Sequence, residues 1–264
     1  MIAGALIFIY AIFSYGVFAV SFLYALGFFG NVVVPKSIDI GAGATTSEAL
    51  VVDILLLGLF AFQHSLMARP AFKRWWTRII PPTAERSTYV LLSSLALLLL
   101  FWRWRPIPAT IWHAEGVAAQ LLTALQWIGW IVALSSTFMI DHFDLLGLKQ
   151  GLGALRGIEA PTPAFQVKCL YRLVRHPLML GFLIAFWATP LMTAGHLLFA
   201  VAITIYILAA LQLEERDLIV ALGETYERYR GQVPMLVPFF PSVRVRNRAS
   251  AREAGPDMSG PGAG

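Results

Sequence analysis

A single cysteine, Cys169, occurs in the 264 residues, so an internal disulfide is excluded, and no feature around it marks it as a nucleophile. Charge is scarce as well. Only 13% of the residues are charged against 58% that are hydrophobic, and the stretch from Met1 to Phe29 carries no charge at all. With a mean hydropathy of +0.70 the chain is too apolar for a soluble globular domain and reads as a polytopic membrane protein. A cleaved signal peptide needs a basic start and a shorter apolar core, and Met1 to Phe29 has neither. No internal repeat and no second domain is visible. The net charge of +5 does not indicate nucleic acid, because the basic residues lie in short loops between apolar runs and form no contiguous basic and aromatic surface.

What is present is a series of apolar segments, each near the roughly 20 residues that cross a bilayer as a helix. They run from Met1 to Phe29, about Leu50 to Met67, about Ser87 to Trp102, and about Val117 to Ile140. A hairpin follows, Leu178 to Pro190 and His196 to Leu213, whose first arm is short for a full crossing. The expectation is an all-α transmembrane helix bundle of five or six spans, with residues 1–243 as one domain and 244–264 as a disordered tail. Arg69, Lys73, Arg74, Arg78 and Arg86 crowd one loop, which puts it in the cytoplasm with Trp75 and Trp76 as interface anchors. By alternation, the connector from Asp141 to Lys168, Arg175-His176 and Glu214-Glu215 fall on the same side of what would be a bacterial inner membrane.

The stretch from Lys168 to Pro241 carries the most chemistry. Pro177 suits the first turn of a helix and pushes His176 toward an extended conformation, so free N–H groups and a positive dipole end point at Arg172, Arg175 and His176. Such a place suits an anion, for example a carboxylate. Past Glu214-Glu215, Leu218, Leu222, Tyr226 and Tyr229 recur at steps of three and four and predict an amphipathic helix at the interface. Gly231 is its expected stop, and Pro234, Pro238 and Pro241 forbid further helix.

Arg175-His176-Pro177 opening an apolar hairpin, then Glu214-Glu215, Leu222-Gly223-Glu224, Tyr226, Tyr229, Val233-Pro234 and Pro238 in order, resembles the isoprenylcysteine carboxyl methyltransferase superfamily. The resemblance covers the last third of the chain. Leu178-Met179 stands where that superfamily commonly has a tyrosine, and Leu222 replaces a phenylalanine, which alters the shape of the implied pocket. A narrower resemblance rests on Phe28 to Asp39, Gln63-His64-Ser65-Leu66-Met67-Ala68-Arg69-Pro70 and Asp141-His142-Phe143-Asp144-Leu145-Leu146-Gly147-Leu148. These runs look like the bacterial methanethiol S-methyltransferases. The resemblances imply S-adenosyl-L-methionine as methyl donor, bound at the cytosolic face. Arg175 and His176 would border it, Glu214 or Glu215 would answer its ammonium or ribose, and Tyr226 and Tyr229 would close the pocket. Arg172, by charge alone, answers a carboxylate.

The implied acceptor is a small thiol, methanethiol or hydrogen sulfide, reaching a site beside membrane lipid. Positioning supplies much of the catalysis of an in-line methyl transfer, and a water-poor site favours a step in which thiolate and sulfonium lose their charges together. An alkyl thiol is mostly protonated at neutral pH. His64 or His142 would accept its proton, or the surrounding positive field would suffice without a base. Asp141 and Tyr10 complete the candidate catalytic residues, Tyr10 because its depth in the first span suits an inward-facing polar group. No metal is expected. Two rival classes remain at this point: a carboxyl or amine methyltransferase acting on a lipid-linked acceptor, and a haem protein using His64, His142, His176 or His196. A Soret band would mark the latter.

Overall fold

The computed structural model describes residues 2–158 and 165–238. Five helices are long and apolar enough to cross a membrane: α1 (Ile2–Gly30), α2 (Thr46–Ala68), α4 (Pro82–Arg103), α5 (Gly116–Ile140) and α9 (Ala194–Leu222). Between them lie the short helices α3 (Pro70–Trp76), α6 (His142–Leu145), α7 (Leu148–Arg156) and α8 (Pro177–Trp187), and α10 (Glu224–Gln232) follows α9. The all-α bundle is thus the observed fold. At about 1.5 Å per residue, the 11-residue α8 reaches only about half a bilayer thickness.

Two strands fix where α8 ends. Strand β1 (Thr110–His113) follows α4, strand β2 (Leu191–Thr193) follows α8, and they pair antiparallel. The turn between α8 and α9 therefore shares one face with the loop between α4 and α5. This is the far face. On the opposite, basic face lie α3, α6, α7 and α10, with every described lysine and arginine except Lys36, Arg103 and Arg105. Among the described residues, five helices have the length and composition for a full crossing, and α8 is a shorter apolar helix.

The helix ends follow from local chemistry. Thr45 caps α2 by accepting from the Glu48 amide at 3.3 Å, and Thr193 caps α9 by accepting from the His196 amide at 3.2 Å. Pro82 and Pro177 occupy first turns, where a missing N–H costs nothing. Toward the far face the core is aromatic, with Phe28, Phe29, Phe101, Trp104, Phe186 and Phe199 in one cluster. The buried Asp53 accepts the Arg105 amide at 2.9 Å, and Asp39 ties Asn31 to Thr193. Helices α5 and α8 touch backbone to backbone, because Gly129 and Gly181 face each other's helices. A Cβ on Gly181 would fall 2.5 Å from the Ala133 amide nitrogen, and one on Gly129 would fall 2.6 Å from that of Ala185.

Three expectations change. The helix after Glu214-Glu215 breaks at Gly223, whose φ of +55° is open to glycine, and Gly231 lies inside α10 rather than ending it. Glu214 and Glu215 are accordingly interior residues of α9, not its end. The polar connector from Asp141 contains α6 and α7, and Gly151 of α7 is so close to α1 that a Cβ there would meet Ala11 at 2.6 Å. Pro241, the domain limit at residue 243 and the tail at 244–264 lie outside the described residues.

Candidate active site

Proline at position 177 starts α8 and keeps His176 out of the helix, but His176 is not extended as expected: it takes φ −127° and ψ 64°, and Arg175 before it lies in a bend. That backbone is not free. The Arg175 amide donates to Pro234 O at 2.9 Å and the His176 amide to Met235 O at 3.2 Å, so the segment after α10 folds back along it. Both side chains turn inward to Glu215 of α9. Arg175 Nε donates to Glu215 Oε1 at 2.7 Å, His176 Nε2 lies 3.1 Å from the same oxygen, and Arg230 Nε stands 3.4 Å from Oε2. Arg175 Nη1 also donates to the Arg230 and Val233 carbonyls. An ionised carboxylate only accepts, which fixes a proton on His176 Nε2 and leaves Nδ1 facing Glu214, 4.0 Å away. Glu215 is enclosed, whereas the side chain of Glu214 is 51% exposed.

Against this ion cluster lies a wall of tyrosines. Tyr226 and Tyr229 pack with Val233, Leu218 and Leu222, and Tyr229 donates to the Tyr171 carbonyl at 2.6 Å. Burial pushes the Tyr229 hydroxyl up to about 12, with Arg175 opposing, and raises those of Tyr171 and Tyr226, so all three stay protonated. The Tyr226 hydroxyl is buried and has no protein partner, a costly state that points to a missing polar group. A cavity of about 570 Å³ opens here, lined by Tyr229, Val233, Phe165, Arg172, Arg228 and Gln232 among others.

His64 occupies the basic-face end of α2. Its Nε2 lies 2.8 Å from the Tyr89 hydroxyl and its Nδ1 3.2 Å from Ser93 Oγ, both on α4, while Phe60 stacks on the ring. Ser65 meets Tyr206 of α9 at 3.1 Å, and Arg69 pairs with Asp217 at 3.3 Å, which ties this end of α2 to α9. The charge of Glu214 acts on Tyr89 as well as on Tyr171 and Tyr226.

His142 belongs to a different neighbourhood. Its Nδ1 lies 2.7 Å from Thr137 Oγ1 and its Nε2 3.1 Å from the Tyr15 hydroxyl, and it stacks on Phe138 at 4.1 Å. Asp141 is ion-paired with Lys149 and caps α6 through the Asp144 amide, and Lys149 holds its carboxyl below the usual range. Tyr10 donates to Thr88 at 3.0 Å, between α1 and α4. Burial lowers the His142 pKa, so the fold favours its neutral form. Stability should therefore fall as pH drops below about 6.5, where the unfolded ring gains a proton that the folded one resists. Unfolding midpoints of the wild type and His142→Gln between pH 7.5 and 5 check this: the loss should shrink in the variant, and identical slopes would contradict it.

The geometry can be set beside known proteins. A family described as NnrU protein matches residues 53–225. Methanethiol S-methyltransferase 2 of Bradyrhizobium diazoefficiens is 61% identical over 256 residues, covering 97% of this chain and 99% of the relative. The chain belongs to the methanethiol S-methyltransferase family. Methanethiol S-methyltransferase of Mycobacterium tuberculosis is 58% identical, covering 88% of this chain and 95% of that protein. Nurim of Sus scrofa is 32% identical over 179 residues, covering 63% and 66%. No solved structure matches the chain.

Within this methanethiol S-methyltransferase family fold, the sequence-predicted residues separate into three sets. Arg175, His176, Glu215, Tyr226 and Tyr229 form one cluster, with Glu214 at its edge and Arg172 across the cavity. His64 forms a second set with Tyr89 and Ser93 of α4, and His142, Asp141 and Tyr10 lie toward α1. Among the described residues, no hydrogen bond or ion pair joins His142 to the Arg175 cluster. Arg230, Tyr171, Tyr89 and Ser93 were not foreseen. Tyr89 and Ser93, four residues apart on α4, had a usable signal: two polar side chains on one stripe of a span.

Proposed function

We propose that this integral membrane protein is an S-adenosyl-L-methionine-dependent thiol S-methyltransferase converting methanethiol to dimethyl sulfide, with hydrogen sulfide as a second acceptor of the same class. The observation that carries the reading is the 61% identity over 97% of the chain to a named methanethiol S-methyltransferase. The lysine and arginine excess on the face bearing α3, α7 and α10 supports a cytoplasmic orientation of that face, in the inner membrane of a bacterium.

The residues present fit the donor. Arg172 and Arg228 line the cavity and offer cations for its carboxylate; outside that lining, Glu214 offers an exposed carboxylate for its ammonium and the orphaned Tyr226 hydroxyl a hydrogen bond that the protein itself leaves unmade. Aromatic faces of Tyr229 and Phe165 suit a cationic sulfur. Arg175, His176, Glu215 and Arg230 hold this wall together. Bound there, S-adenosyl-L-methionine would supply a methyl group on a sulfonium, whose C–S bond breaks as the thiolate sulfur forms the new one.

The thiol proton has to leave first. Both histidines are engaged at both ring nitrogens, and His64 is the better acceptor candidate because its partner Tyr89 feels the charge of Glu214, whereas the partners of His142 are Thr137 of α5 and Tyr15 of α1. Substituting His64 by Gln is expected to lower kcat about 10²-fold with little change in donor affinity, the usual worth of a general base. His142→Gln should cost less than a tenth of that, and equal losses in both would remove the assignment to His64. For the reaction itself, purified protein is supplied with donor and, in turn, methanethiol, hydrogen sulfide and a prenylcysteine, and the products are read by headspace chromatography and carboxyl methyl ester release. Dimethyl sulfide from methanethiol is expected. Methylation of the prenylcysteine carboxylate alone would overturn the thiol reading in favour of a lipid-linked acceptor.

A further inference from the structure

A second cavity, of about 510 Å³, lies toward the far face, lined by residues of α1, α4 and the loop after α1. It is a groove between α1 and α4. Tyr24, Leu95, Leu98, Leu99 and Trp102 form its walls, and Pro35 and Lys36 stand at its mouth. Leu95, Leu99 and Trp102 are exposed toward the membrane, so the groove opens sideways into lipid. Methyl transfer as proposed above makes no use of it.

The charge at that mouth is out of place. Lys36, Arg103 and Arg105 are the lysine and arginine side chains of the far face among the described residues, and all of them gather here. Lys36 Nζ donates to Trp102 O at 2.7 Å, the Arg103 guanidinium lies 5.6 Å over the Trp102 ring, and Arg103 and Arg105 both act on Lys36. Like charges at such range repel, and topology removes lysine and arginine from a far-side loop rather than collecting them there. The buried Asp53 acts on both Lys36 and Arg105, and one carboxylate offsets one of these cations. Donors remain unspent: Lys36 has two N–H groups beyond its bond to Trp102, and Arg105 Nε is buried without a partner. Apolar walls below and surplus cationic donors above match one kind of molecule in a bilayer.

We propose that this groove binds an anionic phospholipid, with an acyl chain along Leu95, Leu98 and Leu99 and its phosphate held by Lys36, Arg103 and Arg105. Guanidinium and ammonium donors recognise phosphate oxygens by charge-assisted hydrogen bonds, and removal of one cation near a lipid headgroup weakens binding about fivefold. A zwitterionic headgroup carries a compensating positive charge and gains less. The chain supplies the apolar part of the affinity, so a bare phosphate ester gains only the headgroup part.

Native mass spectrometry of the full chain in detergent tests this with dioleoyl phosphatidylglycerol, dioleoyl phosphatidylcholine and glycerol 3-phosphate as probes. One phosphatidylglycerol should be retained at a concentration at least about tenfold below that needed for phosphatidylcholine, and glycerol 3-phosphate should not be retained. Lys36→Gln and Arg103→Gln should each weaken phosphatidylglycerol about fivefold, and Leu99→Trp, which fills the groove, should release both lipids. Equal retention of the two lipids, or unchanged affinity in both cation variants, overturns the headgroup assignment. Retention by Leu99→Trp overturns the groove, and glycerol 3-phosphate binding as well as the lipid would mean a free-anion site. The Arg103 arm stands on an exposed side chain, so it keeps the test decisive if Lys36→Gln does not fold.

Discussion

Replacing Glu215 by glutamine is expected to abolish methyl transfer and to destabilise the protein by about 3–5 kcal/mol, the cost of leaving a buried charge without its partner. The amide keeps the shape and one acceptor oxygen, so packing is preserved while the charge is lost. Arg175, whose side chain is as enclosed as Glu215, then becomes an uncompensated cation, with His176 and Arg230 beside it. Because Arg175 Nη1 also holds the Val233 and Arg230 carbonyls, the damage spreads to the end of α10 and to the tyrosine wall. The double variant Arg175→Met/Glu215→Gln should recover much of the stability and none of the activity. Such a cycle separates the charge pair's structural cost from its role at the donor pocket. Glu214→Gln should behave in the opposite way, with an unchanged unfolding midpoint and donor affinity down about tenfold, as for the loss of one charged hydrogen bond. Unfolding in detergent and equilibrium binding of S-adenosyl-L-methionine read both quantities. A Glu215→Gln protein within about 1 kcal/mol of wild type would refute the central role given to this carboxylate.

The division of labour between these glutamates was partly legible. Adjacent residues on a helix point about 100° apart, so Glu214 and Glu215 cannot both face the core. Leu211, Glu215, Leu218 and Leu222 follow one another at steps of four, three and four, and that stripe already assigns Glu215 to the buried side. The five long spans were visible for a simpler reason: an apolar run of bilayer length has few other places to go. Short elements were not. Strands β1 and β2 hold only a few residues and pair across a long sequence separation, and no local pattern announces such a pairing. Gly231 was the expected helix stop, and the break falls instead at Gly223 for a tertiary reason. Tyr226 and Tyr229 must reach the Arg175 cluster, which a break before them permits and a break after them does not.

The second large effect is expected at a residue that touches no ligand. Gly181→Ala should destabilise the protein by about 3 kcal/mol, the upper range for overpacking, because its new methyl meets backbone that cannot rotate away. On propensity alone the change favours a helix by about 1 kcal/mol, so the sign of the result is diagnostic. Gly16→Ala is the control, since a Cβ there meets nothing within 4 Å and only the propensity gain remains. The two helices can relieve the clash only by separating, which strains the bond from Gln126 Nε2 to the Ala185 carbonyl and shifts α8 as a body. Pro177 is its first residue, so His176 and Arg175 move with it, away from Glu215 on a helix that has no reason to follow. A displacement of about 1 Å in a positioning element costs on the order of 10²-fold in rate. Transfer should therefore fall in Gly181→Ala even well below its unfolding temperature, while a protein that kept its rate would show that α8 does not set the geometry of the Arg175 cluster.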